Sequence, residues 1–333
     1  MKLTAVRRVG LLVVLAGLVF GMGLHAGTER PYDQQHSPYP DGEDLAADYD
    51  RFVGSETRLW GTVQRVDPAA ETAVITVDYG SGTLDFTVTG FDAVVDPGGA
   101  VQVYGTVERD ATIDATNVVV VNPAGASATV KYAVSAVGAL LVLAAFSAAG
   151  GPTFESGRSS RGRTRMAELL THVLVPYVVL TALGWRVEFD RRWVPVAMGG
   201  AAIPDLSKVD LVVGAEAVES LVGHGFAWSP ISSLGGVVVI GAAIALLFGD
   251  GLRRRAYAAL LVGGTSALVV DGLRAFADGR SDFWLYPIYW RPPTPSLYVT
   301  ADSRVTVLSV GVAVAVFLLD RYALGRHEDT SAA

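Results

Sequence analysis

Thr57-Arg-Leu-Trp-Gly-Thr-Val-Gln-Arg-Val66 and Val101-Gln-Val-Tyr-Gly-Thr-Val107 repeat one phrase, an alternation of apolar and polar residues built around Gly-Thr-Val. A period of two turns every second side chain to one face, the signature of a half-buried strand. Three more runs have the same character: Thr72-Ala-Val-Ile-Thr-Val77, Leu84-Asp-Phe-Thr-Val88 and Asn117-Val-Val-Val-Val121. Gly80-Ser-Gly82 and Asp96-Pro-Gly-Gly99 supply turn residues between them. Five short strands within residues 48–122 predict a small closed β-domain of Greek-key type, with Gly61 and Gly105 letting its strands bend.

The paired Gly-Thr-Val phrases resemble OB-fold strands. Such folds often bind oligonucleotides, yet here the basic groove and aromatic platform are missing. Residues 27–128 hold 17 acidic and 5 basic residues, a net −12, while the rest of the chain is +5. That balance argues against nucleic acid as a partner, because phosphate contacts need Lys and Arg. It suits a salt-rich, halophilic setting, where dense carboxylates keep a surface hydrated.

Outside the barrel the chain reads as membrane protein. Its 333 residues are 51% hydrophobic and only 18% charged, with a mean hydropathy of +0.39. Lys2, Arg7 and Arg8 precede the apolar run Val9–Leu24, a retained signal anchor or a cleaved signal peptide. The loose site Leu24-His-Ala-Gly27 favours retention, and either reading puts the N-terminus inside and the barrel outside by the positive-inside rule. Val130–Gly150 is long enough to span, and Arg158, Arg161, Arg163 and Arg165 behind it place that loop in the cytoplasm. Further apolar segments are Met166–Trp185, a short one at Trp193–Ile203, Ile231–Phe248, Ala256–Phe276 and Val305–Leu319. Six spans result if the short segment only dips into the bilayer, seven if it crosses; Arg253-Arg-Arg255 favours six.

The expected fold class is a multi-pass α-helical membrane protein with an inserted, extracytoplasmic OB-like Greek-key β-barrel. The boundaries are a signal anchor (1–26), a polar tether (27–47), the barrel (48–128), a transmembrane helix (129–150), a cytoplasmic Arg-rich loop (151–165), a helical membrane domain (166–321) and a polar tail (322–333).

Four polar residues of the helical domain need explaining: His172, Asp205 in Ala202-Ile-Pro-Asp205, His224 in Gly223-His-Gly-Phe-Ala-Trp-Ser-Pro230, and Asp271. Ionisable groups in spans are costly and point to function. Two imidazoles and two carboxylates form a ligand set for a divalent metal such as Zn²⁺. Plainer roles compete: His172 and His224 as interfacial or loop residues, Asp205 as a helix cap, and Asp271 paired with Arg274. The four are expected together at the cytoplasmic face.

In this order, with Ser229 and Ser266 and the Trp/Pro-rich Phe283-Trp-Leu-Tyr-Pro-Ile-Tyr-Trp-Arg-Pro-Pro293, residues 166–321 resemble the membrane-bound metal-dependent hydrolases of the inner membrane, akin in pattern to zinc-dependent phospholipase C. The resemblance implies a metal-bound water attacking an ester or phosphoester, such as that of a lipid, at the bilayer surface. Trp228 and Ala267 stand where the pattern has two further His, so the four survivors suffice only for a mononuclear site. The alternative is a non-catalytic envelope scaffold with a degenerate site, whose barrel docks a protein partner. Thiol chemistry is excluded by the absence of Cys.

Overall fold

A computed structural model describes residues 5–28, 38–79, 82–124, 166–187, 190–299 and 302–331. The expected span at 129–150 and the Arg-rich loop at 151–165 lie outside the described residues. Helix α1 (Ala5–Thr28) leads into a short helix, α2 (Gly42–Ala47). Five strands follow: β1 (Glu56–Asp67), β2 (Thr72–Tyr79), β3 (Gly82–Thr89), β4 (Ala100–Glu108) and β5 (Thr112–Asn122).

The strands close a barrel in the order β1-β2-β3-β5-β4. All pairings are antiparallel except β3 with β5. This is the expected OB-like Greek key, and the alternation drives it. Leu59, Val63, Ile75, Phe86, Val88, Val101, Val103, Val107 and Ile113 point inward and are fully or almost fully buried. Gly105 is required by close approach: a Cβ there would lie 2.1 Å from the Asp114 carbonyl oxygen, beside a bulge in the β4–β5 register. The tether is shorter than expected. Asp41 caps α2 through a reciprocal capping box with Asp44, and Leu45 enters the barrel core at 2% exposure.

The second half is a helical body: α3 (Met166–Leu183), α4 (Val194–Gly200), α5 (Ala215–Val222), α6 (Leu234–Ala245), α7 (Arg253–Gly272) and α8 (Ser303–Ser331). Helix α7 is central, with α3, α4 and α6 all packed on it. Gly263 permits the closest crossing, since a Cβ there would lie 1.8 Å from the Ala197 carbonyl oxygen of α4. Among the described residues, two segments are long and apolar enough to cross a membrane, Ala5–Thr28 and Arg304–Tyr322 within α8. The expected short segment forms only the seven residues of α4, about 10 Å of helix and far short of a bilayer core.

Contacts give each helix its direction. Arg8 at the start of α1 pairs with Asp250 at 3.0 Å, and Arg253 pairs with the same carboxylate. At the other end of α1, Gly23 accepts a hydrogen bond from Ala227 N at 3.0 Å. Leu180 of α3 clusters with Ala256 and Ala259 near the start of α7, whereas His172 meets Asp271 near its end. Trp185 and Arg191 both reach Asp320 of α8. One end of the body therefore gathers Arg8, Arg191 and Arg253. The other carries His172 and Asp271.

The barrel stands on this second end. On β4, Val101, Val103 and Val107 point inward, so Gln102 and Tyr104 point outward. Gln102 is nonetheless 1% exposed, because its Oε1 accepts from Ala277 N at 2.7 Å. Asn117 donates to the Ala277 carbonyl at 2.8 Å. Arg58 reaches Asp278 at 3.5 Å, and Arg291 pairs with the same carboxylate. The outer face of β1, β4 and β5 is thus seated on the loop that follows α7.

Candidate functional site

A cavity of about 540 Å³ opens at this junction. Its wall is assembled from both halves: Arg58 from β1, His172 from α3, Asp205, Ser207 and Lys208 from the 3-10 helix Pro204–Leu211, and Asp271 from α7. Ser229 and Ser232 contribute hydroxyls, while Trp228, Phe283 and Trp284 supply aromatic surface. Three of the four expected residues therefore come together. The fourth does not. His224 is exposed in the loop after α5, with Nδ1 3.0 Å from the Val222 carbonyl oxygen, and is not part of the cavity wall.

The expectation of a cytoplasmic site opposite the barrel is corrected by this geometry. Arg58 of the barrel lines the same cavity as Asp205 and Asp271, so barrel and site share one end of the molecule. His172 and Asp271 meet at one end of the body, and the difference is that the barrel is seated on that same end, through Gln102, Asn117 and Arg58.

Within the cavity the charges are already matched. His172 is 7% exposed and its Nε2 lies 3.2 Å from Asp271 Oδ1. Lys208, one helical turn after Asp205, forms an ion pair with it. Arg274 and Lys208 also face the Asp271 carboxylate. The second oxygen of Asp205, Oδ2, is buried without a hydrogen-bond partner among the described residues. Asp205 does not cap its helix, as no side-chain cap bond is formed there. Among the described residues, no three His, Asp or Glu side chains are grouped so that they could hold a metal ion.

Trp228 explains part of this arrangement. It occupies the position where the hydrolase pattern has a second His, lines the cavity, and is fixed by Nε1 donating to the Val213 carbonyl at 2.8 Å. Ser232 bridges the wall, donating to the Pro204 carbonyl at 2.8 Å with Ser207 Oγ at 2.5 Å. Ala267 is fully buried in the body. Sequence reasoning missed Lys208 and Arg58. Lys208 carries a local signal, its i,i+3 spacing from Asp205. Arg58 carries none, since it meets Asp278 from 220 residues away.

Barrel, apolar helices and shared cavity together define a membrane-associated protein built on an OB-like domain. The family described as "Halobacterial membrane associated OB-fold like protein" matches residues 36–150, about a third of the chain. The match takes in the whole barrel and does not extend into residues 166–321. No curated protein matches the chain.

Proposed function

We propose that this is a multi-pass membrane protein whose barrel stands outside the cell and whose cavity works without a metal, as a non-catalytic envelope scaffold. One observation carries the reading: Lys208, an ammonium built into the chain, pairs with the carboxylate that a metal would require. An Asp already neutralised by a fixed cation gains less from a divalent ion, because the ion must displace the lysine or endure its repulsion. The membrane orientation is supported by the basic end of the body, with Arg8, Arg191 and Arg253 together on the cytoplasmic side. Because the body covers β1, β4 and β5, a protein partner is left the outer face of β2 and β3, around Thr76, Asp85 and Thr87.

Elemental analysis of the detergent-purified protein tests the proposal, with no stoichiometric divalent metal as the expected result. About one metal ion per chain, lost in both Asp205→Ala and Asp271→Ala, would overturn it. The second reading would then hold, a hydrolase acting on an ester or phosphoester through metal-bound water. That reading is favoured by the shared cavity of His172, Asp205 and Asp271 and the unpartnered Asp205 Oδ2. Orientation has its own test, since the chain has no Cys. An impermeant maleimide should label Asp110→Cys on intact cells and Gly251→Cys only after permeabilisation; the reverse pattern would refute the topology.

A further inference from the structure

The segment between the cavity and α6 has two unlike sides. Ser207, Lys208 and Asp210 face the cavity. Away from it, Leu206, Val212, Val213 and Leu221 are 49%, 85%, 42% and 86% exposed, and α5 has no buried residue. At 100° per residue, Ala215, Ala217, Val218, Leu221 and Val222 fall in one half of α5, and Glu216, Glu219 and Ser220 in the other. The polar half is engaged in part: Glu219 Oε1 accepts from Phe226 N at 2.8 Å. Among the described residues the apolar half is left partly open: Ala217 and Leu221 are exposed, and Ala215, Val218 and Val222 are only half-buried.

Its depth identifies what covers it. Phe226 packs against Phe20 in a tilted arrangement with 5.4 Å between ring centroids, and Ala227 donates to Gly23 near the end of α1. The 24 residues of α1 extend about 36 Å, slightly more than the roughly 30 Å hydrocarbon core. Since Arg8 marks its other end, a core of roughly 30 Å ends near residue 28, and Gly23–Gly27 lie within about 8 Å of its boundary with the headgroups. Glu219 ties α5 to this level. We propose that Leu206–Val222 is an interfacial foot, its apolar half inserted at the acyl–headgroup boundary of the leaflet on the barrel side. Apart from Lys208, the segment has no basic residue, so insertion depends on apolar burial rather than on anionic lipid, and it persists in high salt.

The inference rests on the membrane reading above, and one experiment separates their failures. Single-Cys variants Leu221→Cys and Val312→Cys of the full chain are labelled with a small fluorophore and reconstituted in phosphatidylcholine vesicles. Val312 is exposed on the candidate span of α8. Expected is quenching of the Leu221→Cys label by lipid brominated near the headgroup, and of the Val312→Cys label by lipid brominated near the chain end, both unchanged on adding salt. Quenching at 312 without quenching at 221 overturns the foot and leaves the membrane reading standing. Quenching at neither overturns both. A disulfide-linked dimer through Leu221→Cys would show that a second copy covers the face, and also overturns the foot.

Discussion

Asp278→Ala should release the barrel from the body without unfolding either. The Asp278 side chain is fully buried between Arg58 and Arg291, each 8% exposed. Its Oδ1 also accepts from Arg280 N at 3.3 Å. Removing the carboxylate leaves two desolvated guanidinium groups, with only the exposed Asp282 carboxylate 3.9 Å from Arg58 beside them, and breaking a buried pair in this way costs about 3–5 kcal/mol. At about 1.4 kcal/mol per factor of ten, undocking should become two to nearly four orders of magnitude more favourable. Val119 reports it. Register sets Val119 opposite Gln102 on the barrel's outer face, yet it is 9% exposed. The thiol of Val119→Cys should therefore react in proportion to the undocked fraction, and far faster when Asp278→Ala is added. High salt should change the ratio little, because buried pairs are poorly screened. Replacing the whole cluster by Arg58→Met, Asp278→Leu and Arg291→Met should recover most of the loss, since no uncompensated charge remains. If Asp278→Ala accelerates labelling no more than Asp190→Ala, which removes a pair exposed on both sides, the cluster does not hold the barrel.

Three further perturbations follow from the same contacts. Lys208→Ala should free Asp205 and raise Zn²⁺ uptake over wild type by elemental analysis; unchanged uptake would mean the ammonium does not block the site. Gly263→Ala should cost about 1–3 kcal/mol through overpacking against Ala197, whereas Gly199→Ala, with nothing within 4 Å of its Cβ, should be neutral or mildly stabilising; equal melting temperatures in detergent would refute the close crossing. Burial, with Glu56 and Tyr39 beside it, raises the Tyr104 hydroxyl above its ordinary value. The ring is neutral in both states at lower pH, and above pH 10 the unfolded chain ionises first. Stability should therefore fall as pH rises past that value, less steeply in Tyr104→Phe.

The barrel was legible because its signal is local. Inward and outward residues alternate along β1 and β4, and the sequence alternates with them. Where a local signal used an unusual residue or ran into its neighbours, the element boundaries were misread. The β4–β5 hairpin turns on Asp110 and Ala111, both with positive φ, and an alanine there carries none of the Gly or Asn marking that announces such a turn. Strand β5 accordingly begins at Thr112 rather than Asn117. The capping box of α2 uses Asp at both positions, so within an acidic stretch it looked like tether. Helix α6 starts at Leu234 rather than Ile231 because Ser233 caps it, accepting from Gly236 N.

The candidate site was half legible, for a different reason. Pattern placed Asp205 and Asp271 in one constellation, and the fold brings both to one cavity. What pattern could not supply was the side of the molecule, because charge counting assigns whole segments to a face and says nothing of which helix end meets which. Contacts between the two halves, Gln102 with Ala277 and Arg58 with Asp278, seat the barrel on the end where His172 meets Asp271. The consequence is mechanical. Arg58 is at once a wall of the cavity and half of the ion pair that seats the barrel, so a ligand that bonded its guanidinium would compete with Asp278 for it. A ligand drawing Arg58 away from Asp278 would loosen the barrel, and a partner pulling the barrel would open the cavity. By linkage the two effects have equal size.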